Sequence, residues 1–594
     1  MMPVLQRLSR GSSHSIESLN TMALQPPRER PQSTQFHVLV RHFFERFFAH
    51  ELASADGDSR TRLTQIACAM GIPGVVVTLY LYTPYHLPHA VRPYWAQVSD
   101  HYFYVLYSFV AMGLLTLFEW DLFFPDLLDV HVLSHLPVRT IRTFCARVTA
   151  IAILIAAALF DCNILSFLIL PAAVDPPHLL RFWAAHLAAV VCAGLSGSAF
   201  FLALEGLLLG LLGDRVFRKI ALALQGISVA ALLTALFSFP VVSRLLPNLT
   251  ASSLARWFPP FWFLGIDQRM LDGSAAPAPF QALAHFGWFA TLLCTAIAAL
   301  SYPLAWLRRT RSLAEGGARR SFRNPASVPL HGLLHRTIAR SPATRAVWHF
   351  ITQNLLRVPR YRMVLVMAGG AGAALVLASV SRLTLAPHHL FFTFSSEGLR
   401  SVVPIVAFWT VAGLRSTFLA PADQRGRWIF SATAGKPTVL HIAAARRWTM
   451  TVTIAFTGAG VLGIVLAEPP ALLSDRFVTG QILTAVALSV LLTDGFFLKV
   501  HTIPFTGSKP NDAANFALLL IPYLGFFPFL VVFTVALEPQ IELSWTRLLS
   551  VAAACYAAHL GLSVWHRRRI ADHLRAIDAD EDEEEFPLRL GLRY

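Results

Sequence analysis

Apolar residues in this chain fall in long unbroken runs, not in the alternation of a half-buried strand or the narrow stripe of a surface helix. A helix that crosses a bilayer needs about 20 predominantly apolar residues. Twelve runs satisfy this requirement: 66–83, 102–118, 148–170, 182–212, 220–239, 283–307, 363–385, 399–418, 448–467, 477–498, 516–537 and 547–565. The fourth is long enough to tilt strongly or break. The pattern predicts an all-α polytopic membrane protein with about twelve transmembrane helices. Residues 1–65 are polar, so the first span is expected to start membrane insertion itself.

Between the runs, a second pattern has the 3.6-residue period of a helix with one apolar face. Before span one, Phe36, Leu39, Val40, Phe43, Phe44 and Phe47 recur at helical spacing, opposite Arg41, His42, Glu45 and Arg46. Before span seven, Val347, Trp348, Ile351, Leu355 and Leu356 do the same. Both stretches read as helices lying in the membrane interface, with their basic faces toward lipid headgroups. A third amphipathic piece, "LLDVHVLSHLPVRTIRTFCARV" from Leu127 to Val148, connects spans two and three. Its apolar positions are Leu133, Leu136, Ile141, Phe144, Cys145 and Val148, with Arg139, Arg142 and Arg147 elsewhere around the helix.

Composition narrows the class. The 594 residues are 55% hydrophobic and only 14% charged, against the roughly 25% charged residues of a soluble domain. The formal net charge of +15 would suggest nucleic acid in a soluble protein; here its placement along the chain matters more, and no nucleic-acid partner is expected. With the N-terminus on the cytoplasmic side, 40 of the 49 Lys and Arg residues fall in cytoplasmic segments and 9 in outer ones. That asymmetry predicts an N-in, C-in topology and an even number of spans. The six cysteines form no CxxC pair and read as small apolar packing residues.

The twelve spans divide six and six. A basic segment with twelve arginines, Arg308 to Arg362, separates them, and corresponding spans begin about 300 residues apart through the first five pairs. The expected organisation is an N-terminal disordered segment (1–35), a first six-span half (36–307), a basic linker (308–344), a second half (345–565) and a charged tail (566–594). The loop between spans two and three has a twin, "RGRWIFSATAGKPTVLHIAAARRW", between spans eight and nine. Pro137 and Arg147 are matched by Pro437 and Arg447, each displaced by 300 residues. Proline favours the first turn of a helix, so both loops read as a turn followed by a basic helix running into the next span.

This plan of interfacial helix, six spans and helical cytoplasmic loop resembles the second-type ABC exporter permeases. The resemblance covers both halves, roughly Phe36 to Trp565, and rests on architecture, not on a diagnostic motif. It implies that the loop is a coupling helix docking on a separate cytoplasmic ATPase subunit, with ATP held by that partner and no cofactor in this chain. The implied coupling residues are Leu133, Pro137, Arg139, Arg142 and Arg147, with Trp428, Pro437, Arg446 and Arg447 in the second half. The family also carries short re-entrant helices between spans five and six, and the aromatic, proline-rich Ser253 to Gly273 suits that place. Two features depart from the family: its halves are usually separate chains in bacteria, and the second half here lacks the long outer loop.

The resemblance gives a multi-pass protein of the bacterial inner membrane, in contact with lipid, that transports without being an enzyme itself. No Walker A loop is present, because "FSATAGKPT" has Phe430 where the first glycine belongs. Gly458, Gly460 and Gly463 fit GxGxxG but lie inside span nine, where close helix packing is expected. Ionisable residues within spans mark candidate pathway positions, because a charge at the bilayer centre costs about 2.5–3.5 kcal/mol. The candidates are Glu205, Asp161 and Asp494, with His186, His285 and His559 as further positions. Three other classes fit less well. A major-facilitator transporter would have shorter loops between spans two and three, a polyprenyl-donor glycosyltransferase would need acidic residues beyond Asp100 in its first outer loop, and an assembly scaffold would use the acidic tail Asp578 to Glu585.

Overall fold

A computed structural model of the protein describes residues 35–48, 59–87, 92–315, 341–386, 389–419, 439–468, 473–498, 500, 503–506 and 511–583. The described chain is almost wholly helical, and eleven of its helical segments, two of them joined in one long kinked helix, are long and apolar enough to cross a membrane. The protein is therefore an all-α, multi-pass membrane protein.

The first half begins with α1 (Gln35–Phe48), followed by α2 (Ser59–Tyr85) and α3 (Tyr94–Phe118). Two short helices, α4 (Trp120–Phe123) and α5 (Leu127–Ser134), lead into α6 (Thr140–Val174) and α7 (Leu179–Phe237). Helix α7 holds two expected spans in one 59-residue element that breaks at Gly213, whose φ of 74° and ψ of 164° suit a residue without a Cβ. Helices α8 (Phe239–Ala251) and α9 (Pro259–Asp272) form the next connection, and α10 (Ala278–Ala314) closes the half.

The second half runs α11 (Pro342–Arg357), α12 (Pro359–Val380), a hairpin of β1 (Ser381–Ala386) and β2 (His389–Phe394), then α13 (Ser396–Leu419). It continues with α14 (Val439–Ala467), α15 (Asp475–Phe497), α16 (Asn511–Glu542) and α17 (Trp545–Glu583). Helix α12 ends at Val380, short of the expected 385, because the chain turns there into the antiparallel hairpin with Ser381 opposite Phe394. Helix α17 carries on through most of the expected charged tail.

The two amphipathic helices expected at the membrane interface pack in corresponding ways, α1 on α6 and α11 on α14. Leu39, Phe43 and Phe47 are buried, as are Val347, Trp348, Ile351 and Leu355. Leu356 departs from its expected stripe and is 67% exposed. The basic face of α1 divides: Arg41 pairs with Glu45 along the surface, but Arg46 turns inward to Asp126 and Asp129. The halves meet where α12 packs on α7, and Met367 lies against the first half's main core.

Between spans five and six, α9 inserts against α3, α7 and α10. The approach is close: a Cβ on Gly265 would stand 2.7 Å from the Ala284 nitrogen, and one on Gly287 would stand 2.7 Å from the Trp262 carbonyl. In contrast, a Cβ on Gly458 or Gly463 would meet nothing within 4 Å, and one on Gly460 would only touch Val402 at 3.4 Å. The expectation of close helix packing at Gly458 and Gly463 is therefore corrected.

Candidate functional site

The expected coupling stretch is built from two helices. Asp126 caps α5 by accepting from the Asp129 backbone amide at 2.7 Å, while the Asp129 carboxylate receives the Asp126 amide in return. The helix ends at Ser134, Pro137 lies in the turn that follows, and α6 starts at Thr140, so a turn does lead into a basic helix that becomes the next span. The apolar stripe divides at this turn. Leu133 and Phe144 pack inward, Phe144 against Tyr302 and Trp306, whereas Leu136, Ile141, Cys145 and Val148 remain exposed. Arg139 and Arg142 are exposed among them, with Arg142 donating to Gln35 at 2.9 Å.

Arg147 has a different role from its neighbours. Its side chain is 4% exposed and donates to four acceptors: the Phe123 carbonyl at 3.0 Å, Asp129 Oδ2 at 2.7 Å, the Leu122 carbonyl at 2.6 Å and the Phe124 carbonyl at 2.7 Å. Its guanidinium also sits 5.1 Å from the centre of the Phe43 ring on α1. Arg46 reaches the same carboxylates from α1, so Arg46, Asp126, Asp129 and Arg147 tie α1, the connecting loop and α6 together. Burial alone would raise the Asp129 carboxyl; the two arginines hold it below its ordinary range. Glu119, at the end of α3, has no such partner for its buried Oε2, and burial pushes its carboxyl up to about 7.

The second half has a corresponding buried arginine, displaced by one residue from the expected match. Arg447 is exposed, while Arg446 is buried and pairs with Asp494 Oδ1 at 2.7 Å. The helical period explains the displacement, since one residue rotates a side chain by about 100° and only one of two adjacent arginines can face inward. Arg446 also donates to Ser563, and His559 Nδ1 lies 2.7 Å from the other Asp494 oxygen. The resulting cluster ties α14 and α15 to α17. Trp428 and Pro437 lie outside the described residues.

The three candidate pathway residues are not brought together. Asp161 is half-buried on α6 where α2 packs, Glu205 is buried on α7 within the first half, and Asp494 is engaged by Arg446 and His559 in the second. His285 is partnered with Arg269 at 2.8 Å.

The ends of the halves away from these arginines hold further buried polar groups. In the second half, Arg400 grips Glu542 with two hydrogen bonds of 2.8 and 2.9 Å, and Gln481 donates to Glu538 at 2.8 Å. In the first, Arg92 grips Asp100 at 2.5 and 2.6 Å, with the Tyr85 hydroxyl donating to the same carboxylate at 2.9 Å. Beside them His101, His186 and Asp267 converge; their ligand-capable atoms lie within 4.8 Å of one another, and all three residues are buried. Reading the sequence missed His101 and Asp267. The available signal was polarity out of place, with histidine at the edge of span two and aspartate inside an aromatic segment, but no spacing rule connects residues 166 positions apart.

No known protein family, curated protein or solved structure compared with the chain matches it.

Proposed function

We propose that the chain is the membrane-spanning permease subunit of an ATP-driven exporter of the second ABC type, moving an amphipathic, lipid-like or drug-like substrate with energy from a separate ATPase. The observation that carries this reading is the surface at the start of α6. There Leu136, Ile141, Cys145 and Val148 stand exposed among Arg139 and Arg142, a mixed apolar and basic patch suited to a partner with an acidic rim.

The patch rests on a rigid base. Arg147 fixes the root of α6 to the preceding loop and to α1, and the helix continues unbroken for 35 residues, about 52 Å at 1.5 Å per residue. A push on the patch by a partner closing around ATP would therefore be carried along the whole span, as packed elements move between discrete arrangements. The cytoplasmic position of this end follows from the 40-to-9 distribution of basic residues, and the bacterial inner membrane is the corresponding location. The substrate class rests on the apolar surfaces of the spans and on exposed aromatics such as Trp257 at the opposite end.

Co-purification tests the reading. The full chain, extracted from its native membrane in mild detergent, is expected to bring a nucleotide-hydrolysing subunit with it. Reversing both charges, Arg139→Glu with Arg142→Glu, is expected to reduce recovery of that subunit at least about tenfold, the equivalent of about 1.4 kcal/mol, without loss of membrane insertion. Unchanged recovery would remove the docking role from this patch.

A further inference from the structure

We propose that His101, His186 and Asp267 form a binding site for one divalent transition-metal ion of the Zn2+ type, at the end of the first half away from the basic loops. The site is independent of the export reading, since it uses none of the residues at the α6 patch.

The three residues come from three elements. His101 lies on α3, His186 on the first span of α7, and Asp267 on α9, the short helix inserted between spans five and six. They are 5%, 1% and 0% exposed, and their ligand atoms lie within 4.8 Å of one another. Bonds of about 2.0–2.2 Å from nitrogen and oxygen ligands place donor atoms about 3.3–3.6 Å apart around a tetrahedral ion. The His101 Nδ1 to Asp267 Oδ2 distance is 3.0 Å, so a slight opening of this pair and side-chain adjustment at His186 complete the set.

Two atoms in the cluster are otherwise unexplained. Asp267 Oδ1 is buried and accepts no hydrogen bond, and His101 Nδ1, for all its closeness to Asp267, makes none of proper geometry. Buried polar atoms are almost always partnered, and an ion would partner both. The surroundings orient the ligands as outer partners do at metal sites. Gln268 donates to Asp267 Oδ2 at 2.9 Å, the Tyr94 hydroxyl donates to Gln268 Oε1 at 3.2 Å, and Ser166 Oγ stands 3.5 Å from His186 Nε2. Asp100, adjacent to His101 in the chain, is committed to Arg92 and Tyr85.

Two imidazoles and one carboxylate select a borderline transition ion over Ca2+ or Mg2+, which prefer all-oxygen shells. Three protein ligands leave one position for water. A bound ion would fasten α9 to α3 and α7, fixing the inserted helix over that end of the half.

Metal content of the purified full chain, with any affinity tag removed, is the test. Metal analysis, and Co2+ titration followed by visible ligand-field absorption, are expected to give about one ion per chain with imidazole ligation. Asp267→Asn and His186→Gln are each expected to weaken binding at least about tenfold while the thermal unfolding transition persists, and His441→Gln, on α14 of the second half, is expected to bind as the parent does. Should either variant fail to fold, the Co2+ spectrum of the parent chain decides alone. Failure of the parent to bind Zn2+, Co2+ or Mn2+ near one equivalent, or full binding by a folded Asp267→Asn, would overturn the proposal in favour of a bare histidine–aspartate pair.

Discussion

Replacing Arg147 with Met is expected to destabilise the folded protein by about 3–5 kcal/mol, the range for removing one partner of a buried ion pair. The reason is the number of acceptors that one guanidinium serves. Asp129 would keep Arg46 and the long bond from the Asp126 amide, and the carbonyls of Leu122, Phe123 and Phe124, at the end of α4, would lose their donor in a buried setting. The methionine would still fill the space beside Phe43, so the loss isolates the polar contribution from packing. Arg147→Lys is expected to fall between parent and Met, because an ammonium cannot span four acceptors in the plane of a guanidinium.

The pH dependence has a definite sign. The Asp129 carboxyl is held below its ordinary range, so its contribution is present above that range and fades as pH falls through the lowered value. In the Met variant this acid-side loss should begin at higher pH. Thermal unfolding in detergent between about pH 3 and 7 measures both effects, and a loss under about 1 kcal/mol, the size of a surface pair, would show that Arg147 is dispensable.

The second large effect is expected at Arg446 and Asp494. Arg446→Met and Asp494→Asn are each expected to destabilise by about 3–5 kcal/mol, since either leaves a charge in a buried site. Combined, they should cost far less than the sum, with a coupling above about 2 kcal/mol in a double-mutant cycle. His559 and Ser563 keep the remaining partners partly satisfied, which sets the upper bound on each single effect. Additive losses would mean that the 2.7 Å pair contributes little beyond its separate neighbours.

These two networks show what could be read from the sequence and what could not. Spans are legible because about 20 apolar residues in a row have few other physical solutions. The interfacial helices are legible because Phe43 and Trp348 sit on strict 3.6-residue stripes, and both are buried. The hairpin at Ser381–Phe394 was not, since Leu383, Leu385 and Ala386 keep the run apolar on average beyond Ser381 and Arg382, where α12 in fact ends. Matching Arg147 to Arg447 by a constant offset failed by one position, because linear spacing does not resolve which of two adjacent arginines faces the interior. His101, His186 and Asp267 were out of reach for a simpler reason. They come from three separate segments of the chain, and only the packing of α9 against α3 and α7 brings them together.

The central claim, that the start of α6 receives an ATPase, is tested most directly by a photo-crosslinking residue placed at position 141 in the full chain within its native membrane. Ile141 is 63% exposed on the proposed docking patch, and Trp257, 85% exposed at the opposite end, provides the control. A covalent adduct with a nucleotide-binding subunit from position 141 and none from position 257 is the predicted result. Adducts from position 141 with lipid alone, or an ATPase adduct from position 257, would contradict the account.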